Sequence, residues 1–252
     1  MSTLRKKGKA DKISSLAKHH TARLPQPKSI IAASFTSPLD ALYLAAIFDP
    51  VFTRSYPSTR QVQCISLLQA ILAALQSPMH SPPKGATLFD LSYLVQKHSH
   101  QPIVVFPECT TTNGRGIMPF SPSLLTAPPT AKIFPISLRY TAPDVTTPIP
   151  GTYLTFLWNL LSKPTHCIRV RIAESIYNQR STVYHDSLRE ERASSSDTLL
   201  GSEDGDGMNM SERKILDRVG EALARLGRVK RVGLGMKEKE SFIHARTRRK
   251  GG

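Results

Sequence analysis

Cysteine is scarce in this 252-residue chain. Only Cys64, Cys109 and Cys167 occur, an odd number with no Cys-x-x-Cys spacing, so neither a disulfide framework nor a zinc site is indicated. Long apolar runs are also lacking. The best candidates, residues 67–75 and 153–161, fall well short of the ~20 residues that a spanning helix needs. The N-terminus, MSTLRKKGKADK, is charged with no apolar stretch behind it, so no secretory signal is visible. A protein of this composition that works on lipid is expected to lie on a membrane surface as a peripheral protein.

Acidic charge is in short supply at the two ends alone. The formal net charge is +15, but residues 1–28 carry eight Lys/Arg against one acid and residues 213–252 carry thirteen against four. The 184 residues between them hold thirteen Lys/Arg and fourteen acids, so the middle is nearly neutral. A dedicated nucleic-acid domain carries a basic face on its folded core. Basic ends suit an anionic membrane surface at least as well, or are simply solvated. No specific nucleic acid is expected as a partner.

Hydrophobic periodicity divides the chain into a basic N-terminal arm (1–28), an α/β domain (29–179), a Ser/Asp/Glu/Gly-rich disordered linker (180–211) and a basic C-terminal helical segment (212–252). Within the domain, 29–34, 103–106, 132–140 and 167–172 read as strands, with Ile168, Val170 and Ile172 on one face of the last. Residues 40–48, 65–75, 88–97 and 152–161 read as helices. Pro135 places the strand 132–140 near a sheet edge or a bulge. Strands separated by helices imply an α/β sandwich with a largely parallel sheet flanked by helices. In the C-terminal segment Ile215, Val219, Ala222, Leu223 and Leu226 recur at helical spacing and end at Gly227. That helix is expected to pack back on the domain, and, if the domain still folds once 213–252 are removed, residues 29–175 are expected to keep their activity.

Two segments carry chemistry. In IVVFPECTTTNGRGIMPFSP, a strand runs into a Pro-Glu turn and a loop dense in hydrogen-bond donors. Gly114 and Gly116 allow close backbone approach to an anion, and Arg115 offers a fork that fits phosphate oxygens. An ordinary surface turn has the same composition. Glu108 is better suited to accepting from backbone amides or a substrate hydroxyl than to touching phosphate. The second segment is Phe35-Thr36-Ser37-Pro38-Leu39-Asp40, a turn with a carboxylate at its end.

FPECTTTNGRG resembles the Phe-Pro-Glu-Gly-Thr phosphate-binding block of the phospholipid/glycerol acyltransferases. The resemblance is closest to a fungal lysophosphatidic acid:oleoyl-CoA acyltransferase-like branch, and spans roughly residues 29–175. It implies an acyltransferase, 1-acylglycerol-3-phosphate O-acyltransferase-like, that moves a fatty acyl group from acyl-CoA to lysophosphatidic acid. Acyl-CoA is then a co-substrate, and no cofactor or metal is implied. Phe106, Pro107, Glu108 and Thr110 match the block. Cys109 stands where glycine is usual and Thr111 where many members have arginine, which leaves Arg115 as the cation for phosphate. Glu108, Thr110, Gly114 and Arg115 form the implied phosphate loop. Arg54 is a candidate from a second phosphate-contacting loop, or an exposed arginine.

The segment 35–40 resembles the family's His-x4-Asp block, with Pro38 and Asp40 in place and Phe35 at the histidine. Three readings follow: Asp40 or a water deprotonates the acceptor, a distant histidine (His80, His98 or His100) reaches in, or the protein is a catalytically inactive lipid-binding or membrane-trafficking member. The family's hydrophobic N-terminal anchor is missing, which implies a peripheral form or an upstream segment outside this sequence. The resemblance places the protein on the cytosolic face of the endoplasmic reticulum or on lipid droplets.

Overall fold

A computed structural model describes residues 23–178, 208 and 210–250. Most of the basic arm and nearly all of the linker read from the sequence lie outside the described residues.

Fully buried apolar runs form the middle of the sheet, as expected of parallel strands covered on both faces. All four residues of β1 (Ile30–Ala33) and all three of β5 (Ile103–Val105) are buried. These two run parallel to each other. They are joined in parallel by β2 (Val51–Ser55) on one side and by β7 (Lys132–Tyr140) on the other. Antiparallel strands extend both edges: β3 (Val62–Ile65) and β4 (Leu88–Phe89) beyond β2, and β8 (Ile168–Ile172) and β9 (Ile176–Tyr177) beside β7. The order is β4-β3-β2-β5-β1-β7-β8, with β9 pairing β7. A separate parallel pair joins β6 (Gly116–Ile117) to β10 (Lys230–Arg231).

The period-two alternation of the strands makes two hydrophobic layers. Ile31, Ala33, Val104, Phe106 and Ile136 face α1 (Pro38–Phe48) and α2 (Leu67–Ala73). Ile30, Ala32, Ile103, Val105 and Ile133 face α3 (Leu91–Lys97), a 3-10 turn at Pro122–Thr126 and α5 (Met210–Gly227). Two further helices, α4 (Tyr153–Leu161) and α6 (Met236–Lys250), are present among the described residues. The fold is a mixed α/β sandwich with a parallel centre, as the sequence implies.

The differences have physical causes. Helix 65–75 starts two residues late because Ile65 pairs with Phe52 in β3, and Ser66 with Gln69 forms a capping box at the true start. Helix 88–97 starts three residues late because Leu88 and Phe89 pair with Gln63 and Val62. Arg54 lies on strand β2, not in a loop. Pro135 is not on an edge strand, since β7 has neighbours on both sides. Its carbonyl accepts from Ala173 N at 2.9 Å, between the end of β8 and the start of β9. The missing N–H therefore falls in a gap in the partner, the bulge half of the expectation.

α5 does pack back, and more deeply than expected. Val219 and Leu223 are fully buried and Leu216 nearly so, with Leu216 and Val219 in the same cluster as Ile30 and Ile133. Its C-terminal carbonyls are capped from the sheet: Arg139 donates to Gly227 O at 2.5 Å and Arg171 to Leu226 O at 2.7 Å. Removing 213–252 would strip α5 from one face of the core, so the shortened domain loses packing on which its expected independence depends.

Candidate functional site

The connections after β1 and β5, adjacent parallel strands, leave to opposite faces of the sheet. β1 leads to α1, in one hydrophobic layer, and β5 leads to the 3-10 turn at Pro122–Thr126, in the other. Between such diverging connections, at the carboxyl ends of the strands, an open sheet has its crevice. Both chemistry-bearing segments of the sequence start there.

Ser37 caps α1, Pro38 takes its first position, and Asp40 closes a capping box from the third. Asp40 is fully buried. Its Oδ2 accepts from Thr36 N at 2.6 Å, Ser37 N at 2.9 Å and Thr36 Oγ1 at 3.1 Å, and its Oδ1 accepts from the Tyr140 hydroxyl at 2.6 Å. Burial outweighs these donors and raises its pKa to about 6. Burial and the Asp40 carboxylate push the Tyr140 phenol up. Phe35, at the motif's histidine position, is buried and stacked on Phe106 with ring centroids 4.2 Å apart.

Glu108 is buried beneath the neighbouring loop. Its Oε2 accepts from Met118 N at 3.0 Å, which ties the start of the loop to its end. Burial raises its pKa to about 7, against the Met118 and Phe35 amides and the charge of Lys239. Pro107 O accepts from Ser121 N at 2.9 Å. Cys109 has a left-handed backbone, φ 59°, which accounts for glycine being usual at that position in the resembling block. Its thiol is pushed up to about 12, mainly by burial. Thr111 is buried and donates to Thr147 O at 2.6 Å, so this position turns inward.

Gly114, at φ 67°, and exposed Arg115 lie at the tip of the loop, where Asn113 Oδ1 accepts from Arg115 N at 3.0 Å. Two cavities meet at this tip. A polar one of about 230 Å³ is lined by Gly114, Arg115, Thr36, Tyr140 and Arg139. Thr36 and Tyr140 both hold the Asp40 carboxylate, so Arg115 and Asp40 serve one cavity, from its rim and from beneath its floor. A largely apolar cavity of about 540 Å³ lies on the other side of Arg115, walled by Met118, Pro148, Ile149, Leu234, Phe242 and Lys239.

Lys239, from the first turn of α6, donates to Thr110 Oγ1 at 2.6 Å and to Thr111 O. Burial lowers its pKa to about 8, and Glu108 opposes the shift. Asp40, Glu108, Thr110, Gly114 and Arg115 therefore gather at one end of the sheet. Arg54 lies at the same end of the sheet, two residues past the Phe52–Val104 pair, and its charge acts on the Cys109 thiol, but it lines neither cavity: it donates to Gln76 Oε1 at 2.9 Å and lies over the Tyr56 ring. His98 and His100 lie ahead of β5, at the sheet end away from the Glu108 loop, and His80 Nε2 lies 3.0 Å from Glu240 of α6. Among the described residues no group of three or more His, Cys, Asp or Glu is placed to hold a metal ion.

Two contributors escaped the sequence reading. Tyr140 was available as a polar residue at the carboxyl end of an expected parallel strand. Lys239 gave no local signal, being one of thirteen Lys/Arg in the last forty residues.

No family model matches the chain. Among curated proteins it is 28% identical over 227 residues to a Schizosaccharomyces pombe protein named "Putative lysophosphatidic acid:oleoyl-CoA acyltransferase". The match covers 89% of this chain and 64% of that protein, so the chain spans less than two thirds of the relative's length. This match supports a lysophosphatidic acid acyltransferase-like family for the chain.

Proposed function

We propose that the protein is an acyltransferase that moves a fatty acyl group from acyl-CoA to the free hydroxyl of lysophosphatidic acid. The observation that carries this reading is the polar cavity with Arg115 on its rim and the Tyr140–Asp40 pair in its floor. The acceptor's phosphate sits against Arg115 and Lys239, and the loop's glycine-rich backbone lets it approach. Its hydroxyl then donates to the Tyr140 oxygen, while the Tyr140 proton passes to the Asp40 carboxylate, which is charged at neutral pH. The acceptor oxygen attacks the thioester carbonyl and forms the ester C–O bond. The C–S bond breaks, and the departing thiolate of coenzyme A recovers the proton from Asp40 through Tyr140. This relay supplies the general base that Phe35 cannot. The curated relative's name also favours an enzyme over a non-catalytic lipid binder.

The test is transfer of labelled oleoyl from oleoyl-CoA to lysophosphatidic acid by the purified full chain. Turnover is expected, and Tyr140→Phe is expected to lower kcat by about 10²-fold or more with little change in KM. Turnover by Tyr140→Phe at the wild-type rate contradicts the relay. No turnover by the wild-type chain contradicts the enzyme.

A further inference from the structure

Like α2, α4 lacks charge, but it leaves far more large apolar surface exposed than any other described helix around the sheet. From Tyr153 through Leu161 it contains no charged residue, and only Phe156 is buried. Leu154, Trp158 and Leu161 are 83%, 75% and 80% exposed, and Tyr153 and Leu157 are about half exposed. At 100° per residue these five side chains fall within an arc of about 140°. The result is one continuous apolar stripe, wider than the scattered apolar groups of an ordinary surface. The other face is tethered: Asn159 donates to Asp144 O at 2.9 Å, and Lys163 pairs with the Asp144 carboxylate.

The stripe's position names its partner. Pro148 and Ile149, just ahead of α4, wall the apolar cavity of about 540 Å³, and Thr152 Oγ1 donates to Ile149 O at 2.9 Å. Across that cavity, α6 carries Lys237 and Arg246 exposed, and Phe242 and Leu234 leave their apolar surface 57% and 62% exposed at the rim. An uncharged Leu/Trp/Tyr stripe beside a basic helix is matched by acyl chains beneath anionic headgroups, and Trp and Tyr favour that boundary.

We infer that α4 inserts into the surface of a lipid leaflet, with Leu154, Trp158 and Leu161 among the acyl chains, and so presents the cavity mouth to its amphiphilic substrates. The choice of a leaflet over a protein partner rests on the acyl-transfer reading. The helix is linked to the chemistry as well, because the 3-10 turn at Pro143–Val145 that holds it also accepts, through Val145 O, from the Ser37 hydroxyl beside Asp40 at 2.7 Å.

Trp158 is the chain's only tryptophan, so its fluorescence reports this helix alone. Phosphatidylcholine vesicles, with and without phosphatidylserine, are expected to shift its emission to the blue, and acyl-chain-brominated lipid to quench it. The double substitution Leu154→Ser and Leu161→Ser, at exposed sites, is expected to weaken vesicle partitioning about tenfold or more with unchanged circular dichroism. It is also expected to slow transfer to vesicle-borne lysophosphatidic acid while sparing a short-chain, water-soluble one. Sedimentation with anionic vesicles without any change in Trp158 emission overturns the inference, because the basic ends then do the binding. So does a concentration-dependent blue shift without vesicles that accompanies dimers in ultracentrifugation. A wild-type chain that buries Trp158 in vesicles yet transfers no acyl group supports the role of α4 and rejects the acyltransferase reading.

Discussion

Phe35, at the position that the sequence resemblance assigns to a histidine, serves packing. The ring stacks on Phe106 and lies in the layer with Ile31, Ala41, Leu44 and Ile136. Phe35→Ala is expected to cost about 3–5 kcal/mol in a urea titration, from lost burial and the cavity left behind. A cost under about 1 kcal/mol would show that the ring is not holding the layer together. The two buried carboxyls beside it make stability depend on pH in an uncommon direction. Glu108 and Asp40 titrate at about 7 and about 6 in the fold, against 4.5 and 3.8 ordinarily. Between those values the folded chain holds protons that the unfolded chain has released. Their contribution to stability is therefore complete below about pH 4 and is lost as pH rises through 6 to 7. Glu108→Gln keeps the shape without the titration. Its stability relative to wild type is expected to rise by a few kcal/mol as pH rises through this window, measured by urea titrations. A constant difference would mean that Glu108 stays ionised throughout.

At the scale of elements, α5 is the piece whose apparent independence in the sequence is most misleading. It begins at Met210, inside the stretch 180–211 read as linker, yet Leu223 is fully buried and two sheet arginines cap its end. Leu223→Ala is expected to lower stability by about 2–5 kcal/mol, read as a shifted midpoint in denaturation with unchanged slope. A loss under about 0.5 kcal/mol would mean that α5 is dispensable to the fold. The helix itself was legible because Ile215, Val219, Leu223 and Leu226 keep a 3.6-residue period. The short strands were not. β3 ends at Ile65, just ahead of an apolar helix, and β4 holds only Leu88 and Phe89 ahead of another, so apolar periodicity ran across both boundaries. Pairing partners decided them, and pairing is not local.

Taken as a whole molecule, the sheet's centre and the loop at its carboxyl edge were readable because buried runs, the Pro-Glu turn and the glycines are local signals. The composite character of the site was not. Lys239 lies more than 120 residues beyond Thr110, whose hydroxyl it reaches, and Tyr140 lies a hundred residues beyond Asp40. Such pairs are made by topology, here by α5 crossing the sheet and β10 pairing with β6 to bring α6 over the loop. The same arrangement explains why Thr111 can be buried where the resembling block often has arginine: two cations, Arg115 and Lys239, flank the apolar cavity from different parts of the chain.

We propose that these two cations grip the phosphate of an acceptor whose hydroxyl lies at the Tyr140–Asp40 pair. The most direct measurement compares steady-state acyl transfer to lysophosphatidic acid and to the matching phosphate-free monoacylglycerol by wild type, Arg115→Ala, Lys239→Ala and Lys239→Arg. Each alanine variant is expected to raise KM for lysophosphatidic acid about tenfold or more while leaving the phosphate-free acceptor unaffected, with Lys239→Arg recovering most of the loss. Equal losses on both acceptors would contradict it.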